Sequence, residues 1–317
     1  MKKTLATALV LNLLATTTYA QTKPHAKPTP KPAATQKEAA KPAEKAEPAL
    51  QPFSLDSFSS GKIDPKFSGA SPATVITALE GMANLKKGEF ESTADFNSRQ
   101  SAALTKKVVG NVGIDDLFPF IAKVQKYHEC QNGIMYRYDA DTAQASFYVE
   151  PRTEVLGGPD YRYEPGSDMP RMDTLELARD YEKNRTYTGS NAYGAETTVT
   201  ESKGVIYNIA ADRIPFIAGP RASMCKDKAP RFSFKMEPSI AAQELPSLRA
   251  LIVVKPKTPY VKYSFFHKSP TRDDPKELNV MTKALYGDVA KIVIYSGNTG
   301  QIYAQFPDTT TDQAIKN

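Results

Sequence analysis

From about Phe120 onward the chain is a series of short runs rich in β-branched and aromatic residues, each bounded by Gly, Pro or charged residues. Side chains of a strand alternate between two faces, so this texture commits the larger part of the molecule to β-sheet. "GIMYRYDADTAQASFYVE" alternates around Asp139-Ala140-Asp141-Thr142 and reads as a hairpin. "DVAKIVIYSGNTGQIYAQF" does the same around Ser296-Gly297-Asn298-Thr299-Gly300, a stronger turn signal. Between them "TLELARDYE", "ETTVTESKGVIYNIAA", "RFSFKM", "ALIVVKP" and "YVKYSFFHK" each read as a strand, and "PSIAAQELPSL" as a helical interruption.

Residues 71–107 read as helical. Ser71-Pro72 is a helix start, and Val75, Ile76, Leu79, Met82 and Ala83 follow at helical spacing, with Gly88 expected to end the helix. Ser92 sits three residues before Asp95, so its hydroxyl is expected to cap a second helix. Phe96, Ala103 and Leu104 share one face of that helix, and Arg99 lies four residues after Asp95, in reach of an ion pair. The expected fold class is therefore α+β, with N-terminal helices packed on a mostly antiparallel β-sheet or sandwich. The expected order is a helical part over 53–118, a β-rich part of the same folded domain over 119–307, and a disordered tail over 308–317.

The N-terminal end carries address information rather than fold. Lys2 and Lys3 precede a short apolar run from Leu5 to Ala15, and Thr18-Tyr19-Ala20 ends in small residues. This is the pattern of a secretory signal peptide, with cleavage expected after Ala20. The run is well short of the ~20 residues of a membrane span, and none of that length follows, so a soluble mature chain with no transmembrane segment is expected. No cysteine stands at the cleavage point to take a lipid. Residues 21–52 consist mostly of Pro, Ala, Lys, Glu and Thr, with one Leu and no aromatic residue. Such a segment buries too little apolar surface to offset its ordering entropy, and reads as a disordered, extended tether.

The net charge of +6 is misleading. The leader holds two lysines, and the tether six lysines against three glutamates, which leaves about +1 for the remainder. A near-neutral folded part carries no nucleic-acid footprint. Cys130 and Cys225 are the two cysteines. In an exported chain an even count favours a disulfide between them. His128-Glu129-Cys130 has adjacent ligand types, but too few further cysteines and histidines exist to complete a zinc site. No nucleophile elbow, phosphate loop or dinucleotide fingerprint occurs, and no cofactor is implied. His25 falls in the tether, which leaves His128 and His267, too few to staff a Ser-His-Asp triad convincingly. Asp139 to Thr142 resembles half a calcium loop, but lacks its third acidic position and its glycine.

Two groups of residues have the right chemistry for a site. Glu89 and Glu91 could flank a glycosidic bond if one were buried and its pKa raised. The competing reading is that this acidic stretch only starts a helix. Lys255, Lys257, Tyr260, Lys262 and Tyr263, with Phe265, Phe266 and Lys268 beyond, interleave cations and rings that could hold an anionic or sugar-containing polymer. The competing reading there is an edge strand with its rings inward and its lysines blocking aggregation.

"KGEFESTADFNSR", Lys87 to Arg99, resembles a segment K-G-E-F-E-[ST]-T-x-x-[FY]-x-x-R of uncharacterised exported proteins of Gram-negative bacteria, and "GDVAKIVIYSGNTGQIYAQF" is similar to their last hairpin. The resemblance implies an envelope location and an α+β fold, and carries no activity. The sequence thus leads to a periplasmic, non-enzymatic binding module on a flexible tether, its partner another envelope protein or an anionic envelope polymer, with secretion or surface exposure as the other location. The alternative is an enzyme acting on an envelope polymer through Glu89 and Glu91.

Overall fold

The computed structural model describes residues 50–58, 60–83, 85, 87–129, 131–158, 171–190, 194–214 and 230–307. The leader, most of the tether, both cysteines and the C-terminal tail lie outside them. After a 3-10 turn (Leu55–Phe58) come α1 (Pro72–Ala83) and α2 (Thr93–Leu104). Then follow β1 (Phe118–Lys123), β2 (Gln125–Lys126), β3 (Gly133–Asp139), β4 (Gln144–Glu150), β5 (Arg152–Val155) and β6 (Arg171–Tyr181). The chain continues through β7 (Arg185–Ser190), β8 (Glu196–Ala211), β9 (Phe232–Lys235), α3 (Pro238–Glu244), β10 (Leu248–Lys268), β11 (Lys276–Ser296) and β12 (Ile302–Phe306).

The expected α+β arrangement, N-terminal helices layered on a sheet, is overturned. The described residues are mostly β, with three short α-helices among them. The helix signals were correct locally but did not make a layer. α1 buries Val75, Ile76 and Leu79 against the sheet, whereas α2 keeps most of its residues in solvent and Phe96 only half-buried. α1 also ends at Ala83, before Gly88, which is no part of its cap.

The strands form two sheets. The larger has the order β1-β10-β11-β8-β6-β5, with β12 beside β11 and β7 beside β8. Its pairs are antiparallel except β8 with β11. The smaller has the order β2-β3-β4-β9. The hairpins expected around Asp139–Thr142 and Ser296–Gly300 are β3–β4 and β11–β12. Gly300 has φ +73, and a Cβ there would lie 1.8 Å from the carbonyl oxygen of Ile63, so the turn needs glycine both for its backbone and for its close neighbour.

β10 and β11 have 21 residues each, about 70 Å at ~3.3 Å per residue. "ALIVVKP" and "YVKYSFFHK", read from the sequence as separate strands, are one strand with a register shift between Pro256 and Val261. Residues 250–254 lie between β1 and β11 and are buried on both faces. Ala250, Ile252 and Val254 enter the main core with Phe118, Phe120, Phe147 and α1, while Leu251 and Val253 pack with Phe58, Ile63 and Tyr295. A strand covered on both sides needs no polar face, which explains its unbroken apolar run.

Beyond Val155 the chain reaches Gly157, which exchanges two 2.9 Å backbone hydrogen bonds with Tyr263 of β10. The path β10-β11-β8-β6-β5 therefore returns to β10 and closes a ring. Lys283 reaches Glu80 of α1 at 3.0 Å, so its neighbours Thr282 and Ala284 point to the other side of the sheet. On that side Leu156, Met172, Ala210 and Ala284 form a separate small cluster, with Tyr286 against it.

Candidate functional site

The stretch from Lys87 to Arg99 is held by short-range polar contacts. The Ser92 hydroxyl accepts from the Asp95 N–H at 3.1 Å and donates to the Asp95 carboxylate at 2.6 Å, so Ser92 is the N-cap of α2 as its spacing implied. Arg99 pairs with Glu91 rather than with Asp95. Its Nε and Nη2 donate to the two Glu91 oxygens at 2.9 and 2.8 Å, and the Gly88 N–H adds a third bond at 2.9 Å. The Arg99 guanidinium, with the Gly88 N–H behind it, holds the Glu91 carboxyl well below the usual range, at about 2. That is the opposite of the raised pKa a general acid needs. Glu89 stands exposed beside it, so the two carboxylates do not share a buried cleft.

The lysine–aromatic group is not one binding face. Lys257 pairs with Asp288 at 2.6 Å, and the Lys262 ammonium lies 4.9 Å from the centre of the Tyr286 ring. Tyr263 is buried in the main core and Tyr260 packs against it, while Lys255 is exposed. Residues 264–268 have no strand partner on their outer side among the described residues, as an edge strand would, yet Phe265 and Phe266 point outward. Asp139 accepts from the N–H groups of Asp141 and Thr142 at 3.0 and 3.3 Å, the bonding of a hairpin turn. No group of potential metal ligands occurs among the described residues.

Residues that the sequence did not bring together form a polar cleft of about 260 Å³ along β6. Directly paired residues share a face, and the register aligns Arg152 with Thr174, Glu176 with Asn208, Arg179 with Ile206, and Ile206 with Thr282. All of these, with Glu154, line the cleft on the side away from α1. β5 covers β6 only as far as Thr174, so the cleft continues round the uncovered edge of β6 to Lys123, Gln125 and Gly133. A shallower depression of about 540 Å³ shares Ala122, Lys123 and Leu177 with it and extends to Arg249 and Asn298.

Two acceptors in this cleft lack a donor among the described residues. Asn208 is 4% exposed and its Oδ1 is unpaired, and the Oε2 of Glu154 is likewise buried and unpaired. A buried acceptor left without a donor costs about 1–3 kcal/mol. The carboxylates, by contrast, are each matched by an arginine. Arg152 meets the other Glu154 oxygen at 3.3 Å, and Arg179 grips Glu176 with two bonds, one of 2.6 Å, which lifts the guanidinium above its ordinary range.

A second cluster on the extended strands is saturated instead. Glu201 is 4% exposed and takes bonds from Arg185, from Lys203 at 3.1 Å and from Asn279, and the Arg185 bond leads in holding its carboxyl at about 2. Next to it Tyr187 donates to Glu277 at 2.7 Å. With its bonds made, this cluster ties β7, β8 and β11 together.

The cleft had one sequence signal, an asparagine inside the apolar run "VIYNIAA". Comparison with family models, with curated proteins and with solved structures found no match to the chain.

Proposed function

We propose that the chain is an exported cell-envelope binding module on a Pro/Lys/Ala-rich tether, and that the polar cleft along β6 is its binding site. The leader pattern, the tether composition and the resemblance of Lys87–Arg99 to exported proteins support the location. Among the described residues no helix is long and apolar enough to cross a membrane. The observation that carries the binding reading is Asn208, a lining residue of the cleft held almost fully buried with its side-chain acceptor unpaired. Native chains satisfy nearly all such groups, so an unused one is a place where something else can bind.

Isolated envelope fractions provide the test. Purified protein incubated with cell-wall sacculi and with outer membrane should be retained by one of them, and Asn208→Leu should be retained poorly. The polymer mass should not change. Release of fragments would move the assignment to an envelope-polymer enzyme, and equal retention of the variant would remove the cleft from the reading. Intact mass of exported protein should begin at Gln21. Peptide mapping without reductant should show Cys130 linked to Cys225, a bridge worth on the order of 4–5 kcal/mol in the chain-entropy model.

A further inference from the structure

We propose that the cleft takes a neutral, polyhydroxylated unit, one sugar residue of a longer glycan. This rests on the reading that the cleft is the binding site.

The unused groups define what the ligand must bring. Asn208 Oδ1 and Glu154 Oε2 are both acceptors, so the ligand must present hydrogen-bond donors. Donors come as ammonium or guanidinium groups, as amides, or as hydroxyls. The charge pattern selects among them. Glu154 is neutralised by Arg152 and Glu176 by Arg179, which leaves Lys123 as the cation of the lining without a carboxylate of its own there. A polycation would meet Lys123 and two guanidinium groups, and a phosphate or carboxylate would meet two buried acceptors that repel it. Hydroxyls fit both constraints, since each donates once and accepts twice.

Shape agrees with this. About 260 Å³ lies just below the roughly 300–1,000 Å³ of drug-sized ligand pockets, so the cleft holds one small unit. Ile206, two residues before Asn208 on the same face of β8, adds an apolar side chain beside the polar groups, which suits the C–H face of a sugar ring. The shallower depression that continues past Lys123 gives the next residue of a polymer somewhere to lie.

The test titrates the whole mature chain against a panel of neutral and acidic oligosaccharides, with spermidine and inorganic phosphate as separate probes. Neutral oligosaccharides should bind, with affinity changing less than about twofold between ~50 and ~500 mM NaCl, because no net charge is exchanged. Asn208→Leu should weaken binding by about tenfold through the lost hydrogen bond, while its melting temperature holds or rises because an unsatisfied buried polar group has been removed. Glu154→Gln, at a partly exposed position, provides a second variant and should also weaken binding. Binding of spermidine or phosphate alone, lost in Asn208→Leu, would overturn the sugar assignment and leave the cleft standing as a site. Sugar binding unchanged in both variants would overturn the cleft itself. Failure of every oligosaccharide to bind the wild-type chain would also overturn the sugar assignment.

Discussion

Between Lys87 and Arg99 the chain is fixed by its near neighbours: Ser92 to Asp95, Glu91 to Gly88 and Arg99, and Lys87 to Thr93 at 3.0 Å. Between Leu248 and Val254 it is fixed by residues far away in sequence, β1 on one side and β11 on the other, with apolar side chains buried above and below. The first region shows Phe90 to solvent at 96% exposure, and the second shows only Arg249 near its start. Local polar contacts set a conformation and contribute little to global stability, because water competes for each of them. Long-range apolar contacts do the reverse. Burial of each large side chain contributes about 1.5–3 kcal/mol and disappears only when the whole sheet opens.

Phe120→Ala tests the strand side of this comparison most severely. Phe120 is fully buried on β1 opposite Ile252, and its truncation should cost about 3–5 kcal/mol in denaturant unfolding. A cost below about 1 kcal/mol would mean that β1 is not part of the cooperative core. Ser92→Ala should cost about 1 kcal/mol, read as lost hydrogen-exchange protection within α2, with the global melt barely moved. A full shift of the global transition by that amount would erase the distinction between the two regions.

Acid sharpens it further. The Glu91 carboxyl lies at about 2 in the fold against 4.5 for an ordinary glutamate, so its contribution is complete above pH 4.5 and is lost as pH falls towards 2. Glu201, faced by Arg185, Lys203 and Glu277, follows the same direction. Both are open to solvent screening through exposed partners, so the changes should be small. NMR titration should show α2 amides moving between pH 4.5 and 2 in the wild type, and the Glu91→Gln variant should lack that step. Phe90→Ala should have the smallest effect, within about 0.5 kcal/mol in either direction, because the ring is almost wholly in water. A larger loss would show that Phe90 packs against something.

What the sequence revealed follows the same division. The Ser92 cap and the two hairpins depend on residues within a few positions of one another, and all three are where their spacing puts them. Arg99 was matched to Asp95 by helical spacing, but Asp95 already accepts from Ser92, and the loop carboxylate of Glu91 offers both oxygens. Pro256 and Pro259 divided β10 on paper, whereas in the fold an irregularity absorbs them and the strand resumes at Val261. The helices were given a layer of their own because periodicity reports that a helix exists and not how much of it is buried. The cleft draws on β5, β6, β8 and β11, from Arg152 to Thr282, and only their pairing makes neighbours of Glu176 and Asn208.

The fastening of Ile63 to Gly300 has a mechanical consequence. The Ile63 N–H donates to the Gly300 carbonyl at 2.8 Å, and the Ile302 N–H donates to Gly61 at 3.2 Å. Tension applied to the chain from its N-terminal side thus meets the β11–β12 turn before it meets α1. There the load spreads along β11, whose bonds to β10 run across the strands and share a lengthwise pull in shear instead of opening one at a time. A molecule pulled by its N-terminal segment would pass the load through Leu50 to Asn111 and then to the end of β11, one of its two 21-residue strands, before it reached α1.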